Sequence, residues 1–106
     1  MTTLNTEAAE IIEDAIEIID RDGWIRGQLE DDDGGKCMLG GISNAWALKD
    51  HDNHATPHDL WVRVHSVIEG EVLKGSMPHY NDNVADNWND CRDKMMEAAK
   101  ILRERG

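Results

Sequence analysis

The stretch EAAEIIEDAIEIIDRD, residues 7–22, does most to determine the fold of this chain. Its alanines and isoleucines recur at intervals of three and four residues, which is the period of an amphipathic α-helix. On a helical wheel of about 100° per residue, they occupy one arc and the carboxylates occupy the opposite arc. Asn5 or Thr6 can cap the start, and Gly23 can end the helix in the left-handed conformation. The stretch therefore predicts a helix that buries its isoleucines and exposes a row of acids.

The segment after this helix predicts a short β-hairpin. Trp24–Leu29 and Lys36–Leu39 can form its two strands. Between them, Asp33-Gly34-Gly35 supplies the positive φ angles that a tight turn needs. Gly40-Gly41 then lets the backbone turn into a second helix over about residues 42–48.

Two more helices are predicted downstream. Thr56 followed by Pro57 is typical of a helix start, and the apolar residues that follow predict a helix that ends near Gly75. Asp90 predicts the cap of a final helix over about residues 91–103. The sequence thus predicts one domain over residues 1–106, of the α+β class and mostly α. It has four helices and one small β-hairpin between the first and second helices.

The charge of the chain is strongly acidic and unevenly spread. Lys+Arg 11 against Asp+Glu 22 gives a net charge of −11, and residues 1–35 alone carry −9. Neutralising phosphates requires clustered Lys and Arg, so we expect no direct binding of nucleic acid or of an anionic membrane. A protein with a basic surface is the partner that this charge favours.

Other features bear on where the protein resides. The apolar runs fall far short of the roughly 20 residues that cross a bilayer, and no basic-then-apolar leader follows Met1. Two cysteines are too few for a disulfide framework. We therefore expect a reduced, cytoplasmic protein.

The acidic helix face and two tryptophans are the candidate binding features. Within the face, like charges stand at i and i+4, which costs a few tenths of a kcal/mol per pair. The face is either simply solvated or kept for a basic partner. The tryptophans are large core residues or exposed anchors, since tryptophan is enriched at interface hot spots. The candidate partner-binding residues are Glu10, Glu13, Asp14, Glu17, Trp46 and Trp61.

Histidines and cysteines are the candidate catalytic or metal-binding groups. His51, His54 and His58 have the spacing H-x2-H-x3-H, and imidazole with nearby carboxylates suits zinc or nickel. The spacing straddles a loop and a helix start, so we expect no metal and no cofactor. Neither Cys37 nor Cys91 has a histidine beside it in the sequence, so we expect buried, structural thiols rather than nucleophiles.

Three short motifs resemble the signature of a known family. They are Gly23-Trp24-x-x-Gly27, Cys37-x-x-Gly40-Gly41-Ile42 and Trp88-Asn89-Asp90, in that order. The pattern resembles a small domain family of unknown function from actinobacteria and their bacteriophages, over about residues 8–104. The resemblance implies no established activity or cofactor, so it assigns no catalytic residue.

These observations favour a non-enzymatic acidic interaction protein of the accessory kind that a phage makes in its host cytoplasm, binding a host protein. The oligomeric state stays open. Two alternatives remain. One is a DNA mimic that inhibits a nucleic-acid-binding protein, which the net charge of −11 suggests. The other is a small metal-dependent enzyme built on the loop that carries His51, His54 and His58.

Overall fold

A computed structural model describes residues 3–49 and 57–106 of the chain. These residues form five helical segments and no strand, so the predicted α+β class is wrong and the described fold is all-α. Two of the segments begin as α-helix and continue with wider, π-helical turns. The segments are α1 (Leu4–Asp22), α2 (Met38–Leu48), α3 (Pro57–His65, continued by Ser66–Val72), α4 (Met77–His79, continued by Tyr80–Val84) and α5 (Trp88–Arg105).

Helix α1 begins one turn earlier than the sequence predicts. Thr3, rather than Asn5 or Thr6, is the N-cap, and its hydroxyl accepts a hydrogen bond of 3.1 Å from the backbone N–H of Thr6. Gly23 ends the helix with a φ of +102°, and its N–H donates to the carbonyl of Ile19 at 2.8 Å. The predicted glycine stop with a positive φ is thus confirmed.

The core is built around α1, which packs against α2, α3 and α5. Ile12, Ile16, Val64, Met95 and Leu102 lie in one buried cluster, as the apolar periodicity predicts. All four tryptophans are only half-buried, so aliphatic and methionine side chains fill the centre instead. None of the described helices is long and apolar enough to cross a membrane.

The predicted hairpin is replaced by a loop, residues 23–37, that folds around Lys36. Only isolated bridges join Lys36 to Trp24 and to Glu30. The buried Lys36 ammonium group donates to Asp22 at 3.0 Å and to the carbonyl of Gly34 at 2.7 Å. No strand ladder forms in this loop because its backbone and side chains converge on one lysine.

Asn81 on α4 is the second reason why the loop is not a hairpin. Its buried side-chain oxygen accepts hydrogen bonds from the Trp24 indole at 2.7 Å and from the Met38 backbone N–H at 3.0 Å. Its side-chain nitrogen donates to the carbonyl of Ile25 at 3.0 Å. Two backbone groups of the predicted strands, the Met38 N–H and the Ile25 carbonyl, are therefore satisfied by a helix distant in the sequence.

The same region brings the loop backbone into direct contact with α2. A Cβ atom on Gly40 would lie 2.0 Å from the carbonyl oxygen of Leu29, so only glycine fits there. The Cys37 N–H donates to that carbonyl at 3.3 Å. On the other side of the loop, the N–H of Gly27 donates to the Asp82 carboxylate at 3.0 Å.

The C-terminal half also differs from prediction. Residues 77–84, which are rich in polar loop formers, are helical as α4. The last helix begins at Trp88, because Asn87 is the N-cap and accepts a hydrogen bond of 3.1 Å from the Asp90 N–H. Asp90 instead lies in the first turn, where its carboxylate accepts from the N–H of Asp86 at 2.8 Å.

Candidate interaction surface

Two of the four carboxylates in the predicted acidic face form ion pairs with neighbouring elements. Glu10 lies 2.5 Å from the ammonium group of Lys49, which directly follows α2. Glu13 accepts hydrogen bonds of 2.9 and 2.6 Å from the guanidinium group of Arg103 on α5. The Arg103 hydrogen bond holds the pKa of Glu13 below its usual value. These two acids connect α1 to its neighbours, and their charges are balanced within the molecule.

The other two carboxylates, Asp14 and Glu17, have no hydrogen bond or ion pair in the part of the chain that the structure describes. Partial burial raises the pKa of Asp14 above its usual value; Lys49 lowers it, while Glu17 and Glu10 raise it further. Both side chains are classed as exposed. Their negative charges are therefore available to a partner.

Asp14 and Glu17 line a cleft of about 490 Å³ between α1 and α2, called the acidic cleft below. Ile18, Ala45 and Leu48 supply its apolar surface. Leu48 is 74% exposed, more than any other large apolar side chain that the structure describes. The cleft thus combines uncompensated negative charge with an exposed leucine.

Two basic residues, Lys49 and Arg21, also line the acidic cleft, and each is engaged by another carboxylate. Lys49 is paired with Glu10, as described above. Arg21 donates to both carboxylate oxygens of Asp22, at 2.8 and 3.0 Å. Neither base makes an ion pair with Asp14 or Glu17, although the charge of Lys49 acts on Asp14 and that of Glu17 acts on Arg21. Counted with Glu10 and Asp22, the carboxylates outnumber the two bases, so the net charge at the cleft is negative.

Trp46 and Trp61 come together between α2 and α3. Their ring centroids lie 5.2 Å apart with an interplanar angle of 65°, an edge-to-face arrangement. The Trp46 indole donates to the carbonyl of Pro57 at 2.8 Å. With Pro57 and His58 they line a second groove, of about 510 Å³. This groove shares no described lining residue with the acidic cleft, so the six candidate binding residues do not form one surface.

One of the three histidines considered as candidate metal ligands lies within the described residues. His51 and His54 lie outside the described residues. His58 is exposed near the start of α3. Among residues 3–49 and 57–106, no group of three or more histidine, cysteine or acidic side chains is arranged to hold a metal ion.

Both cysteines are free and buried, which confirms the prediction from their sequence context. Cys37 is the N-cap of α2, and its sulfur accepts a hydrogen bond of 3.3 Å from the Gly40 N–H. Burial and, to a smaller extent, the charge of Asp90 raise the pKa of the Cys91 thiol to about 12. At neutral pH the Cys91 thiol therefore stays protonated and is a poor nucleophile.

A family model supplies the identification. The model for DUF6197, a family of unknown function, matches residues 3–104. The chain belongs to this family. No curated protein and no solved structure matches the chain. The family match spans the acidic cleft, the tryptophan groove and Asn81, but it brings no activity with it.

A third groove within the family-matched residues lies between α1 and α5, with a volume of about 510 Å³. Ile16, Met96 and Ala99 contribute its apolar part. Basic side chains on its edge are partly neutralised, since Arg103 binds Glu13 and Arg92 lies 3.4 Å from Asp20. This α1–α5 groove therefore has mixed charge, in contrast to the acidic cleft.

Sequence reasoning missed Leu48 and Met96, the exposed apolar residues of these two grooves. Leu48 is the last residue of an apolar helical stretch, so its local sequence is typical of a core residue. Its exposure depends on which side of α2 docks on α1. The periodicity of α2 alone does not show that side.

Proposed function

We propose that the protein is a non-enzymatic acidic interaction protein that binds a basic surface of another protein through the acidic cleft. The observation that carries this proposal is the difference within one helix face: Asp14 and Glu17 stay unpaired in the described structure, next to the exposed Leu48. Charge of one sign speeds the encounter with an oppositely charged partner. An exposed leucine adds apolar area that a partner can bury.

The setting we propose is that of a phage accessory protein acting on a host protein in the cytoplasm of an actinobacterium. The three glycine, tryptophan and cysteine motifs support this setting through their resemblance to a family of actinobacteria and their phages. A host protein with a basic surface fits the net charge of −11.

The pairing of acids favours a protein partner over DNA mimicry. DNA carries one negative charge per about 1.7 Å of helix axis, so a mimic needs many closely spaced, uncompensated charges. On α1, Glu10 and Glu13 are each paired with a base, and Asp20 accepts a hydrogen bond of 2.6 Å from the Trp88 indole. No observation on the described residues favours a metal-dependent enzyme built on the histidine loop.

Affinity capture from an actinobacterial lysate with three forms of the chain tests the proposal. The variant Asp14→Asn/Glu17→Gln neutralises the cleft. The matched control, Asp93→Asn/Glu97→Gln, removes two exposed acids of α5 that have no ion pair in the described structure. We expect the wild type and the control to retain the same basic protein and the cleft variant to lose it.

The salt dependence gives an independent reading of the same experiment. Capture by the wild type should fade above about 0.15 M salt, where charges are screened over about 8 Å. If all three forms retain the same proteins with the same salt dependence, the acidic cleft is only a solvated surface and the proposal is wrong.

A further inference from the structure

We infer that the segment bound by the acidic cleft is a basic amphipathic helix of the partner. Its apolar side chains pack on the exposed Leu48, and two of its basic side chains meet Asp14 and Glu17. This inference rests on the proposed function and adds the kind of segment that binds.

The shape of the cleft fits a helix because its two walls are antiparallel helices. At one end Gly41, early in α2, lies against Ile19, whose Cδ1 would be 2.5 Å from a Cβ on that glycine. At the other end Lys49, just after α2, pairs with Glu10. A valley between two helices accepts a third by packing of side-chain ridges into grooves, at interaxial distances of about 8–10 Å.

The length of the valley sets the length of the bound segment. On α1 the cleft extends from Asp14 to Arg21, which corresponds to about 10 Å at a rise of 1.5 Å per residue. A partner helix of about two turns covers that distance, so a short segment is enough to fill the cleft.

The spacing of the two free acids fits a helical ligand. Asp14 and Glu17 stand three residues apart on α1, which places their Cβ atoms about 5–6 Å apart. Basic residues at i and i+3 or i and i+4 of a facing helix have the same spacing, so each base can meet one carboxylate. Lys49 and Arg21 line the same cleft, but their ion pairs are with Glu10 and Asp22, and neither forms one with Asp14 or Glu17.

Charge also disfavours a second copy of this chain as the molecule that binds in the acidic cleft. A second copy would bring another net charge of −11 to a surface that is itself negative. An arginine- or lysine-bearing helix brings the opposite sign, which is the complementarity that specific interfaces use. The exposed Leu48 supplies the apolar contact that positions such a helix.

Fluorescence anisotropy with synthetic peptides tests the inference. The probe is a labelled amphipathic peptide of about 16 residues, with leucine along one helical face and arginine on its flanks. The comparison peptide has the same composition in scrambled order. It therefore keeps the charge but loses the amphipathic face. We expect the wild-type chain to bind the amphipathic peptide about tenfold more tightly than the scrambled one, a difference of about 1.4 kcal/mol.

Two variants and their matched controls locate the binding site. Leu48→Ser should weaken binding of the amphipathic peptide about tenfold, and Asp14→Asn/Glu17→Gln about fivefold or more, as expected for hot-spot residues. The controls Met96→Ser, in the α1–α5 groove, and Asp93→Asn/Glu97→Gln should change the dissociation constant less than about twofold. All changed side chains are on the surface, and circular dichroism checks that each variant stays folded.

The outcomes separate this inference from the proposed function. Equal binding of both peptides, or an unchanged affinity of Leu48→Ser, overturns the helix inference even if neutralising the acids still weakens binding. Loss of binding in Met96→Ser moves the site to the α1–α5 groove and also overturns it. If neither Leu48→Ser nor the cleft neutralisation has an effect, the peptide experiment contradicts the proposed function too.

Discussion

At the scale of single residues, two buried polar side chains have opposite effects on stability. Asn81 is fully buried, and both ends of its amide are hydrogen-bonded, including to the Trp24 indole and the Met38 N–H. Glu7, which the periodicity of α1 wrongly predicts to be exposed, is 1% exposed, and neither of its carboxylate oxygens has a hydrogen-bond partner in the described structure. A satisfied buried amide fixes local geometry, whereas an unpaired buried carboxylate costs free energy.

Replacing Asn81 by alanine should therefore break the hydrogen bonds between α4 and the segment that contains Trp24 and Met38. We expect Asn81→Ala to lower the free energy of unfolding by about 3 kcal/mol, because the indole and backbone donors lose their acceptor. Urea denaturation measures this change. Asn83→Ala, an exposed asparagine on the same helix, is the control and should stay within about 0.5 kcal/mol of wild type. Similar losses in both variants would contradict the role given to Asn81.

Replacing Glu7 should have the opposite sign. We expect Glu7→Met to raise the free energy of unfolding by about 1 kcal/mol or more, because the substitution removes a buried polar group without hydrogen bonds and keeps an unbranched side chain. Glu97→Met, at an exposed position of α5, should change little. A loss of stability in Glu7→Met would show that the carboxylate is stabilised in a way this structure does not contain.

At the scale of elements, the sequence predicts features that depend on neighbouring residues and misses features that depend on residues distant in the sequence. Helix α1 is predicted because its apolar period and its glycine stop lie within 19 residues. The hairpin is wrongly predicted although its turn residues are typical, because Asn81, which binds Trp24, lies 57 residues away. No local pattern shows that a distant asparagine takes up the polar groups that a strand ladder would use.

The candidate surface follows the same division. Periodicity correctly places the four acids on one side of α1, since Glu10, Glu13 and the other two lie outside the buried arc. Which of the four acids remain unpaired depends on two distant bases. Lys49 lies 39 residues from Glu10, and Arg103 lies 90 residues from Glu13. These pairings come from helix packing, so no motif in α1 could separate the paired acids from the unpaired ones.

Alanine substitutions at two glycines test how the elements pack, because they should change the free energy of unfolding in opposite directions. Gly40→Ala would place a Cβ 2.0 Å from the Leu29 carbonyl oxygen, so the loop must separate from α2, at a cost of about 3 kcal/mol. Gly70→Ala meets nothing within 4 Å and needs no positive φ. It should raise the free energy of unfolding by about 0.5–1 kcal/mol through its better helix propensity. Chemical denaturation of both variants measures the difference, and effects of the same sign would contradict this packing.

At the scale of the whole molecule, the arrangement of charge links stability to binding. Residues 1–35 hold most of the excess of −11. Arg103 and Lys49 compensate Glu13 and Glu10, so that within the predicted acidic face the carboxylates without an ion pair in the described structure are Asp14 and Glu17. A surface that repels itself costs stability and is retained where an oppositely charged partner uses it. The acidic cleft is therefore expected to be a place where stability and binding conflict.

The pH dependence of two variants measures that conflict. The folded pKa of Asp14 is raised, mainly by burial, so its ionisation costs stability as the pH rises through that value. Asp14→Asn should therefore be more stable than wild type at pH 7, with the gain lost below about pH 4. The folded pKa of Glu13 is lowered by Arg103. Its contribution is present at pH 7 and lost as the pH falls, so Glu13→Gln should be less stable at pH 7.

Thermal denaturation of Asp14→Asn, Glu13→Gln and wild type at pH 7 and pH 3 gives the comparison. Differences of the same sign for the two variants at pH 7 would contradict the assignment of one free and one paired acid. Differences that persist unchanged at pH 3 would show that they do not arise from ionisation of the two carboxyl groups.

The most direct test of the account is to map where a basic helix binds. Titrating the ¹⁵N-labelled chain with the arginine–leucine peptide shows, from changes in amide chemical shifts, which residues contact it. We expect the largest chemical-shift changes in the acidic cleft, at Asp14, Glu17, Ile18, Ala45 and Leu48. The largest changes at Ile16, Met96 and Ala99 of the α1–α5 groove, or at the indoles of Trp46 and Trp61, would contradict it.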